Sequence, residues 1–242
     1  MDTSLPAAVR SIPDLWRGHQ VMHDVAALPT GQPALDRRLP GHGWPMGALT
    51  ELLPQVPGSG EFSLLFPALA RLTAQARWVV LVDPPWVPYP PALHGNGVDL
   101  AHLLLVRTSS AAESLWACEQ ALHGLQGGAV LAWPDQPSFT RLRRLQLAAR
   151  STHAAVFLFR PPEAAAIASP AELRLRLVAS GDGSHVTVLK CRGARPAGQI
   201  PIRRTPPAPT MLHRADAATP PTHRPPRTDD TAPGRRAAGP VH

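Results

Sequence analysis

Gly58-Ser59-Gly60-Glu61-Phe62-Ser63 has the glycine spacing of a phosphate-binding loop but not its chemistry. Such a loop closes on Gly-Lys-Ser/Thr: the lysine neutralises the β- and γ-phosphates, and the hydroxyl holds Mg²⁺. Here Glu61 stands in the lysine position and Phe62 in the hydroxyl position. A carboxylate facing a triphosphate is repelled by roughly 4 kcal/mol per unit charge at 4 Å, for a surface-like dielectric of about 20. The glycines then serve chiefly to make a tight strand-to-helix turn, with the Gly58 and Gly60 amides as the phosphate-binding groups that remain.

Other reactive residues are thinly spread. Asp83, Asp99, Glu119 and Asp135 supply carboxylates, but nothing pairs them at acid/base spacing. Among eleven histidines, His19 and His23 stand at i,i+4 spacing, and no acidic ligand joins them in a metal motif. Ser59 does not sit in a nucleophile elbow. The pattern predicts no catalytic residue, no metal and no cofactor. Arg141, Arg143, Arg144 and Arg150 fall on one predicted helix beside Leu142, Leu145 and Leu147. They read either as the solvated face of an amphipathic helix or as a patch for phosphate or an acidic partner. No aromatic set is interleaved for stacking single-stranded bases, so direct contact with DNA stays open. Trp44, Trp86, Trp116 and Trp133 read as core or loop anchors.

The elements that must position these residues follow from apolar runs. Ala48–Leu53 reads as a first strand, and Ser63–Gln75 as a helix in which Pro67 is tolerable only in the first turn. Trp78–Asp83 and Leu103–Val106 are nearly continuous apolar runs, the mark of strands buried on both faces. A helix is predicted around Ala92–Asn96. Helix Ala111–Leu125, strand Ala129–Trp133, helix Thr140–Ser151 and strand Ala155–Phe159 continue the alternation. The fold class is α/β, a mostly parallel sheet flanked by helices. Leu173–Val178 and His185–Lys190, joined about Gly181-Asp182-Gly183, predict an antiparallel hairpin at the end of the sheet. Upstream, Leu35 and Leu39 share a face of a short helix closed by Pro40-Gly41, and Gly43–Gly47 is a turn.

Net charge is +7 over 242 residues, but residues 196–242 hold seven arginines against three aspartates and so supply +4 of it. The high pI near 11.0 therefore describes mainly the tail. That tail has no aromatic residue and few large aliphatic ones, which predicts disorder in isolation. It reads as an inert linker or, preferably, as a segment that docks on a partner through Arg203, Arg204, Met211, Leu212 and Arg214. The organisation is a lead-in over 1–27, a core domain over 28–195 and a basic, proline-rich tail over 196–242. Cys118 and Cys191 read as reduced thiols. The start, Met1–Pro6, lacks the basic-then-apolar design of a signal peptide, and no apolar run reaches the ~20 residues that cross a bilayer. A cytoplasmic protein without membrane contact is expected.

The lead-in to the loop, Leu35–Gly41 with Gly43-Trp44-Pro45-Met46-Gly47, and the strand–glycine loop–helix order resemble the core of RecA-type recombinases. The match is closer to the ImuA family, RecA-like proteins associated with damage-induced mutagenic translesion synthesis in bacteria. It runs through Leu39-Pro40-Gly41, Gly58–Glu61, Pro67–Ala70, Leu115–Leu122, Ala129–Trp133, Leu142–Ala149 and Ser169–Leu175, and covers residues 28–195. The resemblance implies a RecA-like core without ATPase function. It also implies partnership with an ImuB-type Y-family-like polymerase homologue and an error-prone replicative-type polymerase, with links to RecA itself.

Against an active ATPase of this type, three further positions have lost their chemistry. Pro85 falls where the glutamate that activates water would lie. Trp133 takes the place of the Mg²⁺-organising aspartate, and Arg160 that of a polar γ-phosphate sensor. Phosphoryl transfer depends on positioning and charge neutralisation, so these losses predict no hydrolysis. The expected function is a non-catalytic adaptor of an SOS-induced translesion synthesis complex. The alternative is a cell-division inhibitor of the SulA type, which shares the shortened RecA-like core.

Overall fold

A computed structural model describes residues 26–180, 183–193, 198–203 and 213–214. His19, His23, Arg204, Met211, Leu212 and the Gly181-Asp182 turn lie outside the described residues. The described chain opens on a small bridge. β1 (Ala27–Leu28) pairs antiparallel with β2 (Trp44–Pro45), so the lead-in boundary at residue 27 falls within a strand and the Gly43–Gly47 turn contains one. Between them lie α1 (Pro33–Asp36) and a 3₁₀ turn, Pro40–His42. Leu35, Leu39 and Trp44 are fully buried, and Trp44 meets Phe157 edge-on at 5.5 Å. Gly43 is required by space: a Cβ there would lie 2.0 Å from the Leu28 carbonyl oxygen.

The apolar runs assemble into one eight-stranded sheet. In chain order its parallel strands are β3 (Leu49–Pro54), β4 (Val79–Val82), β6 (Leu103–Val106), β7 (Ala129–Ala132), β8 (Ala155–Phe159) and β9 (Leu173–Ser180). β10 (Gly183–Cys191) returns antiparallel beside β9, and β11 (Gln199–Ile202) antiparallel beside β10. The spatial order is β11-β10-β9-β3-β8-β7-β4-β6. The first strand of the sheet is thus central, flanked by β8 and β9 from late in the chain.

Alternate strand residues divide the core in two. Leu52, Val79, Leu81, Leu131, Phe157 and Phe159 pack with α2 (Phe66–Ala74) and α3 (Pro90–Gly95) on one face. Leu49, Val80, Val82, Val130, Val156 and Leu158 pack with α4 (Ala111–Gly124) and α5 (Phe139–Thr152) on the other. Both long helices are capped by serines: Ser110 accepts from the Glu113 N–H and Ser138 from the Arg141 N–H. Pro67 lies in the first turn of α2, where it interrupts no helical hydrogen bond.

Three differences from the sequence reading have physical causes. β6 is an edge strand and is not buried on both faces: Leu104 and Leu105 are 48% and 42% exposed. Trp116 is an exposed residue of α4, at 61%, and anchors no core. Gln199–Ile202, placed by composition in the tail, is the outermost strand, with Ile200 buried against the first core face. Pro201 fits there because an edge strand tolerates a missing N–H. A second two-stranded pairing joins β5 (Trp86–Val87) to β12 (His213–Arg214), which brings the backbone of Arg214 against Trp86.

Candidate functional site

The carboxyl ends of the parallel strands form the crevice in which α/β sheets of this kind place ligands. The 55–62 loop leaves β3 there, Asp83 follows β4, Trp133 follows β7 and Arg160 follows β8. Gly58 and Gly60 take φ of 80° and 100°, the left-handed region that favours glycine, so the turn itself keeps the phosphate-loop character.

What the turn encloses is different. Glu61 folds back, and its Oε1 accepts the Gly58 N–H at 2.7 Å, which fills an amide that a phosphate oxygen would otherwise engage. The side chain is buried, and Oε2 has no partner among the described residues. The Gly60 carbonyl accepts both the Ser63 N–H at 3.1 Å and the Ser63 hydroxyl at 2.6 Å, which closes the turn into a 3₁₀ segment, Ser63–Leu65, ahead of α2. Ser59 and Gly60 line a small cavity of about 70 Å³ against β9 and β10.

Behind the loop, the positions of a metal-phosphate centre are aromatic. Trp133 stacks on Phe159 with ring centroids 4.5 Å apart and planes within 6°. Phe62 meets Trp133, Phe159 and Phe66 edge-on at 6.2, 6.5 and 5.3 Å. Phe62 and Trp133, which the sequence comparison with active ATPases aligns with Mg²⁺-binding positions, are brought into one hydrophobic cluster. Such a cluster gains by excluding water and offers a divalent cation no oxygen ligand. Asp83 does not substitute, since its carboxylate is held by the N–H and hydroxyl of Thr108. Pro85 is exposed, with no group to activate a water. Among the described residues, no cluster of three or more His, Cys, Asp or Glu side chains is arranged to hold a metal.

Arg160 does not face the loop. Its side chain turns to the α4–α5 face and donates to Glu51 Oε1 at 2.9 Å. Ser169 Oγ donates to the same oxygen at 2.7 Å, and Arg174 Nε to Oε2 at 2.6 Å. The Arg174 guanidinium also reaches the Ala164 carbonyl at 2.6 Å. All four side chains are buried, and Arg160 is part of an internal ion network. Glu51, Ser169 and Arg174 belong to no motif that marks a functional residue in the sequence. The available signal was a lone carboxylate amid the apolar run of the central strand.

The four arginines of α5 do not form one face. Arg144 Nη2 is paired with Glu119 Oε2 of α4 at 2.7 Å, which neutralises it, and Arg141 sits in the first turn. Arg143 and Arg150, seven residues apart, instead line a groove with Lys190 and Arg192. Lys190 Nζ donates to the Ser169 carbonyl at 2.8 Å. Burial, and then the neighbouring Arg174 charge, hold its ammonium below the ordinary lysine value. Of the proposed tail contacts, Arg203 is described. Its N–H donates to Gln32 Oε1 at 3.0 Å, and its carbonyl accepts from Gln32 Nε2 at 2.9 Å. No described helix is long and apolar enough to cross a membrane. Both cysteines are free thiols.

Comparison with known proteins adds kinship to this geometry. Protein ImuA of Caulobacter vibrioides, in strains NA1000 and CB 15 alike, is 28% identical over 203 residues, which span 72% of this chain and 82% of the relative. The cell division inhibitor SulA of Edwardsiella piscicida is 32% identical over 125 residues, 46% of this chain and 73% of the relative. No family profile matches the chain.

Proposed function

From its similarity to ImuA and SulA proteins we infer that the chain is a member of the ImuA family, and we propose that it is a non-catalytic adaptor in the bacterial response to DNA damage. One observation carries the reading: the would-be phosphate site is filled from within. Glu61 occupies a loop amide, and Phe62, Phe66, Trp133 and Phe159 occupy the metal-phosphate space. A site closed in this way binds no triphosphate and orients no water, so the sheet is left to act as a scaffold. Kinship to ImuA supports a part in damage-induced mutagenesis, and its partners are then an ImuB-type polymerase homologue, an error-prone replicative-type polymerase and RecA. The soluble adaptor works in the cytoplasm, where those partners act.

The test is direct binding with purified components. Full-length chain is expected to co-elute with the ImuB-type homologue in size-exclusion chromatography and to release no phosphate from Mg²⁺-ATP above the buffer rate. The adaptor reading fails if none of the three partners is retained. It fails equally if ATP turnover appears and is abolished by Gly60→Ala. The SulA kinship supports a second reading, inhibition of cell division. Overexpression that produces filaments, together with inhibition of the division GTPase's assembly in vitro, would favour that reading over the adaptor.

A further inference from the structure

α5 and the end of β10 enclose a concave groove of about 200 Å³ on the α4–α5 face of the sheet. Arg143 and Arg150 enter it from the helix, and Lys190 and Arg192 from the strand and the turn after it. Glu172 is the one carboxylate in its lining, and its Oε1 already accepts from Arg192 Nη1 at 2.8 Å and from Gln146 Nε2 at 3.3 Å. Arg143 and Arg150 are exposed, and their side chains make no hydrogen bond or ion pair among the described residues. Beneath the groove the imbalance continues. The carboxylate of Glu51 faces two guanidiniums, Arg160 and Arg174, and Arg174 is the register partner of Lys190. With four cationic side chains and one carboxylate in its lining, the groove is a net positive concavity.

The helix that forms one wall is not purely basic. Phe139, Arg143, Leu147 and Arg150 follow one another at spacings of four, four and three residues, which puts them on one stripe of α5. Phe139 and Leu147 are 53% and 51% exposed. An apolar side chain set between two free guanidiniums has nothing to offer a hydrated phosphate. It does fit the apolar residue of a peptide whose neighbours are carboxylates. A nucleic-acid strand would call for aromatic platforms interleaved along a longer basic track, and the groove holds no aromatic side chain.

We propose that this groove is a docking site for an acidic, partly apolar segment of a partner protein, with carboxylates on Arg143, Arg150 and Lys190 and an apolar side chain on Leu147. The proposal rests on the adaptor reading only for the partner being a protein. Short random peptides displayed on phage are to be selected on the immobilised full-length chain. The most enriched peptide is then labelled and titrated by fluorescence anisotropy beside a single-stranded oligonucleotide of equal charge. Enriched sequences are expected to alternate Asp or Glu with Leu or Phe. Their binding should weaken about tenfold or more in Arg143→Glu/Arg150→Glu and measurably in Leu147→Ser, all positions on the surface. Circular dichroism checks that the variants fold, and Arg143→Gln/Arg150→Gln replaces the charge reversal if it does not. The proposal is overturned if no peptide is enriched, if enriched peptides lack acidic residues, or if charge reversal leaves binding unchanged. An oligonucleotide that outcompetes the peptide, indifferent to Leu147→Ser, also overturns it. Failure of the polymerase co-elution while the peptide still binds would remove the adaptor reading and leave the groove.

Discussion

The Gly58 amide donates to Glu61 Oε1 across three residues, so the loop carries its own anion. A bound phosphate would have to displace a carboxylate that is covalently tethered and already buried, and it would meet that charge as it arrived. A carboxylate in place of a lysine at position 61 thus has two effects, filling the amide and repelling an anion.

Replacement of Glu61 by lysine is expected not to restore nucleotide binding, because the aromatic cluster persists behind the loop. Titration of Glu61→Lys with a fluorescent ATP analogue and Mg²⁺ should stay flat, and micromolar saturation would refute the occlusion argument. Glu61→Ala should cost only about 1 kcal/mol in urea unfolding, since the exposed Gly58 amide regains water.

Trp133→Asp reinstates the carboxylate that a metal-phosphate site needs, yet it should behave as a packing defect. It removes the face on which Phe159 stacks and sets a charge against Phe62 and Phe159. A loss of about 3–5 kcal/mol is expected, with Trp133→Ala at the lower end because the side chain is only half-buried. Chemical denaturation followed by far-ultraviolet dichroism measures both.

Glu51 is the residue whose removal should be felt most. Glu51→Ala leaves Arg160 and Arg174 buried without their counter-charge, a cost of about 3–5 kcal/mol. Replacing all three by apolar residues of similar volume should recover much of that loss. A triple variant no more stable than Glu51→Ala would show that the network is held by something other than its charges.

The thiols give the pH dependence. Burial, assisted by the charge of Asp83, pushes Cys118 from 9.0 up to about 12, and burial moves Cys191 to about 11. In the unfolded chain both ionise near pH 9, while the native protein keeps its protons. Stability from this source is therefore complete below pH 9 and declines as pH rises through 9 towards 11 and 12. Cys118→Ala should flatten that decline, and Cys118 should resist a thiol reagent at pH 8 until denaturant is added.

Truncation separates strand from tail. A chain ending at Arg195 loses β11, bares the edge of β10 and uncovers the contacts of Ile200. It should be less stable by about 2 kcal/mol or more than a chain ending at Arg203, from the aliphatic burial alone. Equal melting temperatures would show that β11 adds nothing to the core.

The regular elements were legible because uninterrupted apolar runs and serine caps are local signals. Their spatial order was not. Leu103–Val106 carries the same apolar text as Val79–Val82, but only assembly makes the former an edge. β11 was hidden because Gln-Ile-Pro-Ile alternates for four residues inside a proline-rich background. At the site, Glu61, Phe62 and Trp133 stood out in the sequence as departures from a phosphate-binding pattern. Their mutual contacts, and the turn of Arg160 to the opposite face, depend on strand register. The split among the α5 arginines required knowledge of what α4 and β10 bring beside them.

The placement of Glu51 has a consequence for synthesis. β3 leaves the ribosome early but lies at the centre of the sheet, and its buried carboxylate meets Arg160 and Arg174 only 109 and 123 residues later. At about 5–20 residues per second, that is a wait of roughly 5–25 seconds. A charge in the middle of a largely apolar strand is a feature that disfavours edge-to-edge association. Until those two arginines are made, the Glu51 carboxylate has no buried counter-charge, and an unpaired charge disfavours its own burial.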